Sequence, residues 1–164
     1  MKTERFKAVT SGQTTIVVTA GAYVQNDVVG GLLVFTGLRG GKLRGITLTD
    51  AANQNAVQYA LVLFDSAPTA IANNDPYAIA DADLPKIVFE WALPQPAEAL
   101  HPPGAFGGVR IFSNNCYFFD YGLDYPLWSQ GGSIYGFLIV TSGTVPTYAA
   151  TTDVTLSLLM EMGG

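Results

Sequence analysis

Residue types able to do chemistry are few in this chain, and they are scattered. His101 is the only histidine and Cys116 the only cysteine. A Ser–His–Asp or Cys–His arrangement would have to use His101, which stands between Leu100 and Pro102 in a proline-rich stretch. Neither residue lies in a recognisable nucleophile motif. A zinc site draws on several His or Cys ligands, and the chain offers one of each. Two carboxylate pairs remain, Asp81 with Asp83 and Asp120 with Asp124, the second among tyrosines. Two facing carboxylates suffice for glycoside hydrolysis on any fold that positions them. Tyr117, Phe118, Phe119, Tyr121, Tyr125 and Trp128 make the densest aromatic patch. That patch suits a sugar platform, or equally a core and a subunit contact. Asp75, Asp81 and Asp83 lack the D-x-D-x-D-G register of a calcium loop, and turn and cap roles account for them. Neither Gly30-Gly31 nor Gly40-Gly41-Lys42 fits a phosphate loop. The expectation is no catalytic residue, no metal, no cofactor and no small ligand.

The elements that must position these residues read as strands. The first half turns on residues 42–83. Residues 43–49 alternate apolar Ile46 and Leu48 with Arg44, Thr47 and Thr49, a strand with one wet face. Residues 56–64 are apolar on both faces beyond Gln58, so this strand is expected inside a sandwich or against another subunit. The two are expected to face each other across the polar bend 50–55, where Asp and Asn side chains satisfy turn backbone. Residues 3–10 suggest an edge strand or arm, and 14–19 are β-branched and strand-forming. Residues 32–38 form a short buried strand closed by Gly37 and Gly40-Gly41. After 65–83, which has no strong period, Asp81 is expected to cap one helical turn, with Pro85 forbidding a long one. Residues 87–93 follow, with Ile87, Phe89, Trp91 and Leu93 on one face. Pro94, Pro96, Pro102 and Pro103 then hold an extended loop, the kind usually tied to function or an interface. Short strands at 109–112 and 116–119 precede the aromatic loop 121–126 and a piece at 127–129. Residues 133–141 form a buried strand in which Gly136 permits a bulge or a close neighbour. Residues 154–160 close the chain. The pattern predicts an all-β fold of about eight strands with very little helix. An antiparallel double-sheet jelly roll, a kind of β-sandwich, suits it best. An immunoglobulin-like sandwich is the runner-up, without its Cys…Trp…Cys framework.

Composition bounds the partners. The 164 residues fit one domain, expected as an arm or edge strand over 1–13 and a single body over 14–164. A chain this long buries about two-thirds of its unfolded surface and needs no disulfide. Apolar residues make up 49% and charged residues only 13%, against about 25% in an ordinary domain. This deficit predicts that part of the surface meets other protein. A net charge of −5 argues against nucleic acid, which demands a basic patch. Arg39, Lys42 and Arg44 form the one local basic cluster, read as a solvated strand and turn or otherwise as a contact with an acidic partner. No apolar run approaches the roughly 20 residues of a membrane helix. The opening MKTERFKAVTSGQ carries charges where a signal peptide is apolar, so the chain is expected to be made in the cytoplasm without an export signal.

The stretch GKLRGITLTDAANQNAVQYALVLFDSAPTAIANNDPYAIADADLPKI resembles tailed-bacteriophage jelly-roll capsid decoration (cement) proteins and head-fibre bases. The matching text is G-x-L-x-x-I-x-L-x-D over 41–50, L-F-D-S-x-P over 63–68 and D-x-D-L-x-K-I over 81–87. A late strand at 135–141, the Thr/Ala/Pro text of 142–153 and a final amphipathic strand extend the likeness over roughly 30–160. The proline-rich loop 94–108 matches nothing in it. The resemblance implies a structural, non-enzymatic protein on the outer surface of an icosahedral capsid. It implies the major capsid protein as partner, and a homotrimer that bridges capsid subunits. Lys2, Arg5, Phe6 and Lys7 are then the candidates for capsid contact. Pro96, His101, Pro103, Phe106, Tyr121, Tyr125 and Trp128 are candidates for a subunit or shell interface. Competing expectations are a surface carbohydrate-binding module on the 117–128 aromatics, a glycan hydrolase, and a tail or baseplate component.

Overall fold

A computed structural model of the chain describes residues 7–19, 21–38, 41–50, 57–93, 110–113, 125–127, 129 and 131–162. In chain order these form β1 (Lys7–Ile16), β2 (Gly21–Ala22), β3 (Val28–Thr36), β4 (Gly41–Asp50), β5 (Tyr59–Phe64), a 3-10 helix (Asp81–Lys86), β6 (Ile87–Leu93), β7 (Arg110–Ser113), β8 (Tyr125–Leu127), β9 (Ser133–Val140), β10 (Thr147–Tyr148) and β11 (Val154–Met162). The all-β expectation holds, and the strands pair antiparallel throughout. One sheet runs β1-β11-β4-β7, with β8 also on β4; the second runs β3-β9-β5-β6; β2 and β10 form a small third pair.

The strands at 43–49 and 56–64 do not pair with each other. β4 lies between β11 and β7 in the first sheet, and β5 lies between β9 and β6 in the second. Their different faces explain this. β5 is apolar on both sides and needs a central place with cover above and below, which a hairpin on the wet-faced β4 would not supply. Tyr59, Leu61 and Leu63 point into the main core, while Val62 and Phe64 belong to a second cluster.

The main core is shared by both large sheets. Ile16, Leu48 and Leu156 come from the first, and Phe35, Leu61 and Leu138 from the second. β11 shows how sequence sets the face. Val154, Leu156, Leu158 and Met160 are buried, and Thr155 and Ser157 between them are partly exposed. Each such side chain taken out of water contributes about 1.5–3 kcal/mol.

The second cluster lies on the outer side of the β3-β9-β5-β6 sheet. Val28, Val62, Phe64, Phe137 and Ile139 are covered there by Ile71, Tyr77 and Ile79 of the 65–80 excursion. Phe137 meets Phe64 and Tyr77 edge-on, at 5.7 and 5.9 Å between ring centroids. Burial, and then the charge of Glu90, raise the Tyr77 hydroxyl above the ordinary phenol pKa. Ile87 also packs in this cluster, whereas Phe89 and Trp91 pack on the main core and stack on each other. The expected single face of β6 is therefore broken at its start. A register shift opposite Leu63 and Phe64 changes the alternation between Ile87 and Phe89.

Two glycine sites are dictated by space. A Cβ on Gly136 would lie 3.0 Å from Leu63 Cδ2 and 3.1 Å from the Val62 carbonyl, the close-neighbour alternative of the sequence reading. Gly30, in the β3 bulge, has φ +82°, and its Cβ would lie 2.0 Å from Ile16 Cγ2.

Candidate functional site

Most residues nominated from sequence lie outside the described residues: Lys2, Arg5, Phe6, Pro96, His101, Pro103, Phe106, Tyr121 and Trp128, together with Cys116, Asp120 and Asp124. Lys7 opens β1, opposite Met162, and Tyr125 opens β8, opposite Leu43. Lys42, of the basic cluster, stands opposite Glu161 in the β4–β11 register.

The Asp81–Asp83 pair is described, and it is not a pair of cooperating carboxylates. Asp81 is exposed, while Asp83 is buried. One Asp83 oxygen accepts from Lys86 Nζ at 2.7 Å, and the other accepts the Thr69 N–H at 2.8 Å. Lys86 Nζ also donates to the Ala67 carbonyl. The Lys86 hydrogen bond, then that of Thr69, lower the Asp83 pKa to about 2. A carboxylate held this firmly ionised cannot serve as a general acid near neutral pH. It acts as a clasp, closing the 3-10 helix onto the start of the excursion. The expected cap by Asp81 is replaced: the residue ahead of the helix is Ala80, which makes no side-chain cap. Asp83 gains more inside, with an ammonium and a backbone N–H as partners, than Asp81 would gain on an exposed turn.

A second polar centre went unnoticed in the sequence. Asn73, at the far reach of the excursion, uses its whole hydrogen-bonding capacity. Its Oδ1 accepts the Gly30 N–H at 2.7 Å and the Tyr23 hydroxyl at 2.8 Å. Its Nδ2 donates to the Val17 carbonyl and to Thr19 Oγ1. Tyr23 in turn accepts the Thr19 N–H and meets Tyr148 edge-on at 5.6 Å. The buried hydroxyls of Tyr148 and Tyr59 share a hydrogen bond of 2.5 Å. The only local hint was Asn73-Asn74 before Asp75-Pro76, which reads as a turn. Its partners lie more than forty residues away in sequence.

These bonds gather one end of the molecule. Residues 17–27 join β1 to β3, and residues 141–153 join β9 to β11. They are tied together by the β2–β10 pair, by Val18 N–H to the Thr151 carbonyl, and by Tyr23 N–H to the Pro146 carbonyl. Gln58 joins them, donating its N–H to Ser142 Oγ and accepting the Thr141 N–H. Among the described residues no group of three His, Cys, Asp or Glu side chains could hold a metal ion, and no helix is long and apolar enough to cross a membrane. No known protein family, curated protein or solved structure matches the chain.

Proposed function

We propose that this chain is a structural virion protein of a tailed bacteriophage. It has a jelly-roll fold and binds the outer surface of the icosahedral capsid as a decoration or cement protein. The observation that carries the reading is the strand order. Counting β7 and β8 as one level on β4 and leaving aside the two-residue strands, eight strands remain. The first pairs the last (β1–β11), the second the seventh (β3–β9), the third the sixth (β4 with β7 and β8) and the fourth the fifth (β5–β6). That nesting is what two interlocked Greek keys of a jelly roll give, the fold implied by the resemblance of residues 30–160. Fold alone does not assign function. The resemblance supplies the virion role, and the low charge content supports a surface made to meet protein.

The mechanism is additive. Each copy binds two or more capsid subunits, and its binding free energy stabilises the assembled shell by mass action. Repetition over the shell multiplies the effect. The partners are the major capsid protein and further copies of the chain, as a homotrimer, on the virion exterior. Lys2, Arg5, Phe6 and Lys7 make the first contact with the shell, because they concentrate cationic charge in an otherwise acidic chain.

The test is sedimentation with purified empty capsids of the encoding phage, followed by thermal melting of the shells. Co-sedimentation with a raised shell Tm is expected, as is weaker binding of the Lys2→Glu/Arg5→Glu variant. A folded chain that ignores capsids overturns the reading and directs attention to glycan binding by the 117–128 aromatics.

A further inference from the structure

The far reach of the 65–80 excursion holds a peptide bond of distinct reactivity. Asp75-Pro76 is the one Asp-Pro dipeptide in the chain, and both residues are exposed. The Asp75 N–H donates to the Ala72 carbonyl, and an isolated bridge pairs Pro76 with Asp27. That bridge is closed on both sides. Tyr77 N–H donates to the Asn26 carbonyl, and Val28 N–H donates to the Asp75 carbonyl at 2.9 Å. Asp27 and Pro76 are therefore a non-hydrogen-bonded antiparallel pair, the kind in which Cα atoms stand about 4.5 Å apart and side chains lie closest. Proline suits the position, since it has no N–H to donate. Asp27 is buried, and one of its oxygens accepts the Val24 N–H at 2.7 Å. No described residue hydrogen-bonds its other oxygen, and none engages the Asp75 carboxyl. Segments 17–30, 70–80 and 138–142 meet here, and their ionisable side chains are Tyr23, Asp27, Asp75 and Tyr77. Tyr23 donates to Asn73, Tyr77 feels the charge of Glu90, and no cationic side chain belongs to these segments.

We propose that Asp75-Pro76 is a self-cleavage site, at which the folded chain cuts its own backbone in mild acid. The exposed Asp75 carboxylate, held by no hydrogen bond, attacks its own main-chain carbonyl carbon. A C–O bond forms and closes a five-membered ring. The carbonyl electron pair moves onto the oxygen that Val28 N–H already holds, a fixed donor where negative charge develops. As that pair returns, the C–N bond to Pro76 breaks and its electrons stay on nitrogen. The nitrogen takes the proton of the Asp27 carboxyl opposite it. The proline nitrogen belongs to a tertiary amide and is a more basic leaving group than an ordinary peptide nitrogen. The products are a cyclic anhydride ending residues 1–75 and a free secondary amine beginning residues 76–164. One water opens the anhydride to two carboxyl groups, so the net change is hydrolysis of one peptide bond. The reaction does not depend on a virion role. The cut leaves the molecule assembled, because every strand pair among the described residues joins a strand before residue 75 to one after it. The nicked protein is two interleaved chains. What the cut divides is the outer cover: Ile71 stays with the first piece, and Tyr77 and Ile79 go with the second.

The test is a time course of the full chain, read by mass spectrometry, at about pH 4.5, within the carboxyl range and above the interval in which the Asp83 clasp is lost. Two fragments, 1–75 and 76–164, are expected, separating in denaturant and staying together without it. Asp-Pro bonds in unfolded chains also yield slowly to acid, so the decisive comparison is with the same chain unfolded in urea at the same pH. The folded chain should cleave at least about tenfold faster, a fraction of what a positioned acid supplies. Asp75→Asn should give no such fragments. Asp27→Asn should slow the folded chain about tenfold or more and leave the unfolded rate unchanged. Circular dichroism checks the fold of each variant, and the wild-type comparison needs no variant. Cleavage in urea as fast as in the fold overturns the proposal, reducing the site to ordinary acid lability. So does an absence of fragments, cleavage at another bond, or a folded Asp27→Asn chain that cuts at the wild-type rate.

Discussion

At the scale of single residues, the structure separates what backbone conformation costs from what crowding costs. Gly30 and Gly37 have nearly the same φ, +82° and +81°, but only Gly30 faces an obstacle, Ile16 Cγ2, at 2.0 Å from where a Cβ would sit. Gly37→Ala should therefore cost about 1 kcal/mol, the backbone contribution alone. Gly30→Ala adds overpacking against a core side chain and should cost about 2–5 kcal/mol. Urea denaturation of the two variants measures the difference, and equal losses would remove the Ile16 contact from the account. Asn73→Ala should cost about 2–4 kcal/mol, because it leaves the Gly30 N–H and the Tyr23 hydroxyl without their acceptor. Asn73→Asp keeps those acceptors but sets a carboxylate against the Val17 carbonyl, so it should also lose stability, and more so above the carboxyl pKa. A pH series of Tm values for the two variants checks the sign.

At the scale of elements, the 65–86 excursion is an apolar cover fastened at two places. Asn73 holds its far reach, and the Asp83–Lys86–Thr69 clasp holds its base. The clasp makes stability depend on pH in a definite direction. The Asp83 pKa is lowered to about 2 in the fold, against about 3.9 for an unfolded Asp. The unfolded chain therefore binds the proton first. The contribution is fully present above about pH 4 and is lost as pH falls through the interval down to about 2. Asp83→Asn should flatten the Tm profile in that interval relative to wild type, and an unchanged slope would detach the clasp from acid stability. Much at this scale was legible in sequence. Alternation located β4, β6 and β11, and apolar runs located β5 and β9; Gly40-Gly41 marked the start of β4, but β3 runs over Val28–Thr36, with Gly30-Gly31 inside it, and not over 32–38. Pairing was not legible, because β4 and β5 are neighbours in sequence but belong to different sheets. The outer cover was not legible either, since Ile71, Tyr77 and Ile79 are too sparsely spaced to show a period. For the polar centre, Asn73 was legible only as a turn residue, and that 17–26 and 141–152 meet at one end depends on hydrogen bonds between segments more than a hundred residues apart.

At the scale of the whole molecule, the cationic residues Lys2, Arg5 and Lys7 give the proposed shell binding a definite response to salt. Raising ionic strength from about 0.01 M to about 1 M shortens the Debye length from about 30 Å to about 3 Å. Shell binding through Lys2, Arg5 and Lys7 should weaken over that range. Sedimentation with capsids in a salt series tests this, and binding indifferent to salt would contradict a cationic contact. The β1–β11 pairing has a further consequence for biosynthesis. Lys7 lies opposite Met162, and β11 is the strand between β1 and β4. β1 therefore has no neighbour in its sheet until residues 154–162 have been synthesised, and this pairing belongs to the slow class of non-local topologies. A nascent chain stalled before Val154 would carry β1 and β4 with the place between them vacant, so β1 could not join the rest of its sheet.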